Sequence, residues 1–380
     1  RRMKEGKVHA SEGRIPEVAV LLPEAHGNVN VGHAAKDLLF VAHVIHMQMA
    51  LQGTNQAFTV STVLVEDTAC KTNSMLVEPS FLHRNASLHS LVAGIEPPIH
   101  IAFLNQNAHW PEETQRNISS GSFGNEVPWG KHRTICFDVV LQKGLAYTGD
   151  WMGAKLVRER AYAACGVEGT SKADSILLVE HGVAGDERHS RRWHNSTDRF
   201  IRHSLREQRF FRAWCGLPPC TPLTMVRREM RGLSFCEQVR LFANARVVLL
   251  HHGAAMSNGL YIRPSSVVVE LNDQFDRNVV NETTMRWAHT VENAGYAAMM
   301  AAAGLPYIGA RVTYGVWINR KGRPKVNNGL PDEDGVVRWN PTRNPKYAFQ
   351  DANMEIAINR TRWASVMDLL NEMVLAIPGD

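Results

Sequence analysis

Short β-branched runs alternate with helical patterns along this chain, and that alternation restricts it to α/β layers built around parallel sheets. In the first half the candidate strands are Val18–Leu22, Ser61–Val65, His100–Leu104 and Thr134–Leu141. Between the first two, Gly32–Leu51 carries apolar residues at Leu38, Val41, Ala42, Ile45 and Met49, a helical stripe. The second half reads as strand Ser175–Glu180, helix Ser196–Trp214, strand Leu223–Arg227, helix Ser234–Ala243, strand Arg246–His251 and, after a glycine turn, strand Ser266–Leu271. Helical patterns follow over Thr283–Ala303 and Met354–Leu375. The stretch Gly144–Lys172, rich in Gly and small residues, predicts a lobe boundary. The expected domains are an N-terminal Rossmann-like lobe over 1–160, a C-terminal one over 161–350, and a closing helix within 351–380 that either stays there or crosses back to the first lobe. In such sheets ligands sit beyond the carboxyl ends of the strands.

Composition narrows the class. The chain has 380 residues, 44% of them apolar and 21% charged, which suits one large or two ordinary globular domains and excludes disorder, collagen and coiled coil. A net charge of +5 is too small to argue for nucleic acid but suits an acidic small ligand. The longest apolar stretch, Leu38 to Leu51, is broken by His43, His46 and Gln48, so no segment is expected to span a bilayer. The chain opens Arg1-Arg2-Met3, and any signal or membrane anchor is expected to have preceded it. Six cysteines (Cys70, Cys136, Cys165, Cys215, Cys220, Cys236) form no Cys-x-x-Cys pair, which disfavours zinc, and they permit three disulfides or six buried thiols alike. Sequons at Asn85, Asn117, Asn195, Asn281 and Asn359 favour a secretory lumen.

The most informative stretch runs from Arg246 to Tyr261: an apolar strand ends at His251-His252, turns at Gly253, and Ala254 and Ala255 open a short helix. Free backbone N–H groups and the dipole at a helix start form an anion site, and small residues let a phosphate approach. In isolation, a tight turn with a structural histidine is the better explanation. Its surroundings add Ser234-x-x-Glu237-Gln238-Val239 upstream and Pro264-Ser-Ser-Val-Val-Val-Glu270-Leu271 downstream. The whole run resembles glycosyltransferase family 61, through Glu237-Gln238, the strand Val247–Leu250, His252-Gly253-Ala254, Asn258, Tyr261, Pro264 and Val269-Glu270. One departure is Leu250, where members commonly carry a small residue.

Two further blocks carry the resemblance. Asn28-Val-Asn30-Val-Gly-His33-Ala-Ala-Lys-Asp37 is similar to the family's first-lobe pattern, and on a helix His33 and Asp37 share a face. The residues alone are equally those of a helix cap with a satisfied histidine. The basic run Arg188-His-Ser-Arg191-Arg192-Trp-His-Asn195 looks like the family's Arg-x-x-x-Asn element near the donor phosphates, with the assignment among Arg188, Arg191 and Arg192 open. Arg199, Arg202, Arg206, Arg209 and Arg212 fall at helical spacing and read as a solvated face.

The resemblance implies the GT-B architecture, two Rossmann-like lobes facing across a ligand cleft, and an inverting, metal-independent transfer from a UDP-sugar to a hydroxyl of a glycan or glycoprotein in the Golgi or endoplasmic reticulum. Xylose and N-acetylglucosamine are the donor sugars it favours. It assigns donor binding to Arg188, Arg191, Arg192, Asn195, Glu237, His252, Gly253, Ala254, Asn258 and Glu270, and the acceptor side to Asn30. Catalysis falls to His33 and Asp37, either of which can be the base. No cofactor and no metal are expected. Asp332-Glu333-Asp334, between Pro331 and Gly335, reads as a solvated turn rather than a metal-holding Asp-x-Asp, and the pairs His43/His46 and His251/His252 lack ligand company at zinc spacing. The alternative is a non-catalytic carbohydrate- or nucleotide-binding relative. No Gly-x-Gly-x-x-Gly follows a strand, which disfavours a dinucleotide enzyme.

Overall fold

A computed structural model describes residues 16–22, 31–65, 86–103, 137–142, 149–168, 173–180, 191–193, 195–213, 223–230, 232–251, 253–273, 292–317, 354–358 and 360–377. The chain divides into two compact units, Arg1–Arg160 and Ala161–Asp380. Both are α/β units built on largely parallel sheets, the class that the alternating pattern predicts. Among the described residues no helix is long and apolar enough to cross a membrane.

The first unit holds β1 (Glu17–Leu22), α1 (Val31–Leu51), β2 (Thr59–Val65), a short helix α2 over 86–92, β3 (His100–Phe103) and β4 (Val139–Gln142). Its sheet has the order β3-β2-β1-β4, all parallel. Val18, Ala19, Val20 and Leu22 are all buried, as a strand covered on both faces requires. α1 buries Ala35, Leu38, Leu39, Val41, Ala42, Val44 and Ile45, and its Gln48 Oε1 accepts the Val60 N–H at 2.7 Å, tying helix to strand. Asp150 starts α3 (Trp151–Cys165), its Oδ1 accepting the Gly153 N–H at 2.8 Å. A Cβ on Gly153 would stand 3.1 Å from the Leu39 carbonyl oxygen, so this glycine allows α1 and α3 to approach closely.

The second unit holds β5 (Ser175–Glu180), β6 (Arg191–Trp193), α4 (Asn195–Arg206), α5 (Arg209–Ala213), β7 (Thr224–Glu229), α6 (Phe235–Ala243), β8 (Ala245–His251), a 3-10 helix (Ala254–Tyr261), β9 (Val267–Asp273), α7 (Glu292–Ala302), β10 (Tyr307–Trp317), β11 (Met354–Ile358) and α8 (Arg360–Ala376). The sheet order is β6-β11-β10-β9-β8-β5-β7, parallel except where β11 runs against β10. One face packs Ile176, Leu178, Val247, Leu249, Val267, Val269 and Ile308 against Ile201, Leu205, Phe210, Trp363, Met367, Leu370 and Val374.

The expected strands and helices of the second unit recur among the described residues, outside which 283–291 of the expected helix lie, with four differences. The helix expected over Ser196–Trp214 breaks into α4 and α5 around Glu207 and Gln208, where Gln208 Oε1 and the Phe210 N–H engage Asn371 of α8 at 2.7 and 3.1 Å. The segment 354–358 is strand, not the start of the last helix. Strands β6 and β10 stand where none is expected. The closing helix packs on β9, β10 and α5, so it belongs to the second unit. Buried Arg246 grips its end, donating to the carbonyls of Ser265, Val374 (3.3 Å) and Ile377 (2.9 Å). A cation at a helix carboxyl end complements both its open carbonyls and its dipole.

Candidate functional site

β8 is buried along its whole length, Ala245 to His251, and delivers the chain to a turn beyond the carboxyl edge of the sheet. Gly253 caps the following helix with φ 157° and ψ −173°, a conformation that side chains disfavour. The expected short helix is a 3-10 helix, whose first turn closes through the Met256 N–H and the Gly253 carbonyl at 3.0 Å. Its fit is tight: a Cβ on Gly259 would meet Met300 Cε at 2.2 Å. His252 lies outside the described residues, as does the side chain of Ala254.

Glu237 and Gln238 support this turn from α6. Ser234 caps α6 in a box with Glu237: the Ser234 hydroxyl accepts the Glu237 N–H at 3.3 Å, and the Glu237 carboxylate accepts the Ser234 N–H at 2.7 Å. Its bonds from the Ser234 hydroxyl and backbone hold the Glu237 carboxyl below its ordinary range. Glu237 is exposed, and its contacts here are those of a helix cap. Gln238 donates to the Leu233 carbonyl at 3.1 Å and accepts from Asn258 Nδ2 at 3.0 Å, so it bridges α6 to the 3-10 helix. Asn258 is 2% exposed, and among the described residues its Oδ1 has no hydrogen-bond partner. Phe235 meets Tyr261 edge-on at 5.6 Å, and Tyr162 Oη donates to the Tyr261 carbonyl at 2.8 Å. A disulfide joins Cys165 at the end of α3 to Cys236 in the first turn of α6.

Glu270 sits inside the same unit rather than on a surface. It is fully buried in β9, level with Leu250 of β8 and Gly309 of β10, and Tyr307 Oη donates to its Oε2. Burial first, then the Glu270 charge, pushes the pKa of both Tyr296 and Tyr307 well up. This glutamate is the buried centre of a polar cluster with Tyr307 and Tyr296.

The basic block forms an edge strand. β10 runs past the end of β9 and pairs there with β11, which carries β6 through Met354↔Arg191 and Ile356↔Trp193. β6 also approaches β5. The arginine strand is therefore attached beyond the end of β9, at the outer edge of the sheet. The side chains of Arg191, Arg192 and Trp193 lie outside the described residues. Asn195 is the first residue of α4, and Arg188 lies outside the described residues. At the same edge Arg227 of β7 pairs with Glu180 of β5, with Glu229 two residues on. Sequence reasoning passed over these charges, although apolar strands ending in Glu and Arg were their signal.

In the first unit His33 and Asp37 occupy the first turns of α1, one turn apart, and Asp37 is 6% exposed. The His33 side chain and all of Asn30 lie outside the described residues. Asp150 bonds His43 Nδ1 at 2.7 Å, a carboxylate partner drawn from far along the chain, which local spacing did not reveal. Among the described residues no three His, Cys, Asp or Glu side chains cluster as metal ligands. The sequon residues Asn85, Asn117, Asn281 and Asn359, and the acidic stretch Asp332–Asp334, lie outside the described residues.

The segment carrying the arginine strand, the bridge from α6 and the glycine turn is similar to glycosyltransferases. Residues 188–269 match the family model described as Glycosyltransferase 61, the family its motifs resemble. Among solved structures the chain is similar to the bacterial iron-containing dodecameric glycosyltransferase TibC from enterotoxigenic E. coli H10407, at 11% identity over 77% of this chain and 74% of that one, with a TM-score of 0.28. It is also similar to the E. coli heptosyltransferase WaaC with ADP, at 10% identity over 69% and 89% of the two chains, with a TM-score of 0.25. No curated protein matches the chain.

Proposed function

We propose that the protein is an inverting, metal-independent glycosyltransferase that moves a sugar, xylose or N-acetylglucosamine, from its UDP carrier to a hydroxyl of a glycan or glycoprotein. The observation that carries this reading is the Gly253 turn: a glycine-only backbone opening a helix at the carboxyl edge of a parallel sheet, inside the segment that matches a glycosyltransferase family. Backbone N–H groups there suit the diphosphate, and guanidinium forks from Arg188, Arg191 and Arg192 suit its leaving charge. The base is His33 or Asp37: one removes the acceptor hydroxyl proton while that oxygen attacks the anomeric carbon from the face opposite UDP, and the other orients it. General-base help of this kind is worth about 10²–10⁴-fold. The Cys165–Cys236 disulfide supports an oxidising lumen of the secretory pathway as the place of work.

Thermal unfolding against UDP, GDP and CMP, in EDTA and with manganese, tests the reading. UDP at about 100 Kd adds roughly 2.7 kcal/mol of stability in EDTA, and Gly253→Val removes that gain while the protein remains folded. UDP binding that needs manganese refutes metal independence, and a Gly253→Val protein that binds UDP normally removes the turn from the site.

A further inference from the structure

The 3-10 helix after Gly253 has little to hold itself in shape. Its backbone bonds are of the weaker 3-10 kind, and it carries no side-chain cap. What fixes it comes from outside. Gln238 accepts the Asn258 amide in its middle, and Phe235 and Tyr162 engage Tyr261 at its end. Phe235 and Gln238 flank Cys236, whose disulfide ties them to α3, the helix that bears Tyr162. Arg240, one turn further along α6, donates twice to the Cys165 carbonyl, at 3.0 and 2.7 Å, so the two helix ends are joined by hydrogen bonds as well as sulfur. These hydrogen-bonding and aromatic contacts thus start within a few residues of one disulfide, while Met300 of α7 packs on Gly259 from another side.

We propose that Cys165–Cys236 and Gln238 form a clamp that holds the donor turn in its binding shape, with Gln238 a positioning residue acting through Asn258. The clamp rests on the reading of the Gly253 turn as the donor diphosphate site. A phosphate cradle of backbone N–H groups binds more tightly when those groups converge before the ligand arrives, since ordering them on binding subtracts from affinity. The clamp therefore acts on donor affinity more than on the chemical step. Opening it takes two electrons and two protons from a dithiol, which leaves as its own cyclic disulfide while Cys165 and Cys236 become thiols.

The test uses the whole chain and UDP as probe, with amide hydrogen exchange over 254–261 as a readout independent of any ligand. Gln238→Leu removes the Asn258 bond, whereas Gln238→Glu keeps an acceptor for Asn258 and loses only the donation to Leu233. Gln238→Leu is expected to speed exchange over 254–261 and to weaken UDP about tenfold, the size of one lost buried hydrogen bond, with kcat nearly unchanged. Gln238→Glu restores both to within about twofold of wild type on the same grounds. Reduction by dithiothreitol, or the paired Cys165→Ser and Cys236→Ser change, gives the Gln238→Leu pattern. Unchanged exchange over 254–261 in the reduced protein and in Gln238→Leu overturns the clamp, whether or not UDP binds. Faster exchange with wild-type UDP affinity also overturns it, because the turn then needs no holding. A wild-type protein that shows the exchange pattern but ignores UDP refutes the donor reading and leaves a clamp on a turn of some other use.

Discussion

At the scale of single residues, two buried polar side chains do more for this molecule than their neighbours. Arg246 is 1% exposed, and its guanidinium donates to the carbonyls of Ser265, Val374 and Ile377. Arg246→Ala is expected to cost about 3 kcal/mol, the sum of an opened cavity and orphaned acceptors, measured by guanidinium unfolding of the two proteins. Glu270 is the second, with Tyr307 and Tyr296 around it. Because both tyrosine pKa values are raised in the folded protein, the stability they contribute is complete below about pH 10, the ordinary tyrosine value, and drains away as pH rises through and beyond it. Alkaline titration should show the wild type losing stability above that pH, and Tyr307→Phe should flatten the loss. An alkaline limb of the same steepness in Tyr307→Phe would assign it to other groups.

Among elements, the parallel strands were legible because they are short apolar runs covered on both faces: Val18–Leu22, Ser175–Glu180 and Val247–His251 need no partner information to be recognised. β10 escaped because Gly309, Arg311 and Gly315 interrupt its apolar pattern, and Gly309 stands beside the Tyr307 hydroxyl that reaches Glu270. β6 reads as a charge run, since Arg-Arg-Trp becomes a strand only when β11 arrives to pair with it. β11 was absorbed into the helix that begins two residues later. The glycine turn and the Glu237-Gln238 motif were legible as a pattern, but their division of labour was not: spacing could not show that Glu237 caps its own helix while Gln238 reaches Asn258. The disulfide was invisible for the same reason, its cysteines being 71 residues apart among six. The cap offers a check at this scale. Ser234→Ala should cost about 1 kcal/mol. Since the Glu237 carboxyl is held below its ordinary range, the cap's contribution is present above that range and is lost as pH falls through the lowered value. The difference between the Ser234→Ala and wild-type melting temperatures should therefore shrink on acidification, and a difference independent of pH down to about 2, below any ordinary carboxylate, would exclude the carboxylate from the cap.

For the whole molecule, the proposed function divides two tasks between the two compact units. The donor turn and arginine strand belong to Ala161–Asp380, and the pair His33 and Asp37 to Arg1–Arg160. Changes at the pair should therefore spare donor binding. His33→Ala and Asp37→Asn are each expected to slow transfer by about two orders of magnitude with UDP affinity intact, and the double variant to be little worse than the worse single one, as for groups that act as a unit. Near-normal transfer by either single variant, measured with a UDP-sugar and acceptor, would exclude the pair from catalysis.

The grip of Arg246 on the final helix also sets an order of events during synthesis. The first unit is complete once residue 160 has emerged, but the centre of the second sheet waits. Trp363, Met367, Leu370 and Val374 fill its core, and the carbonyl of Ile377 completes the guanidinium's partners. Until residues 360–377 leave the ribosome, Val247, Leu249 and Val269 are covered on that face by Ile201, Leu205 and Phe210 alone, and the nascent chain carries a half-covered apolar sheet of the sort that chaperones hold.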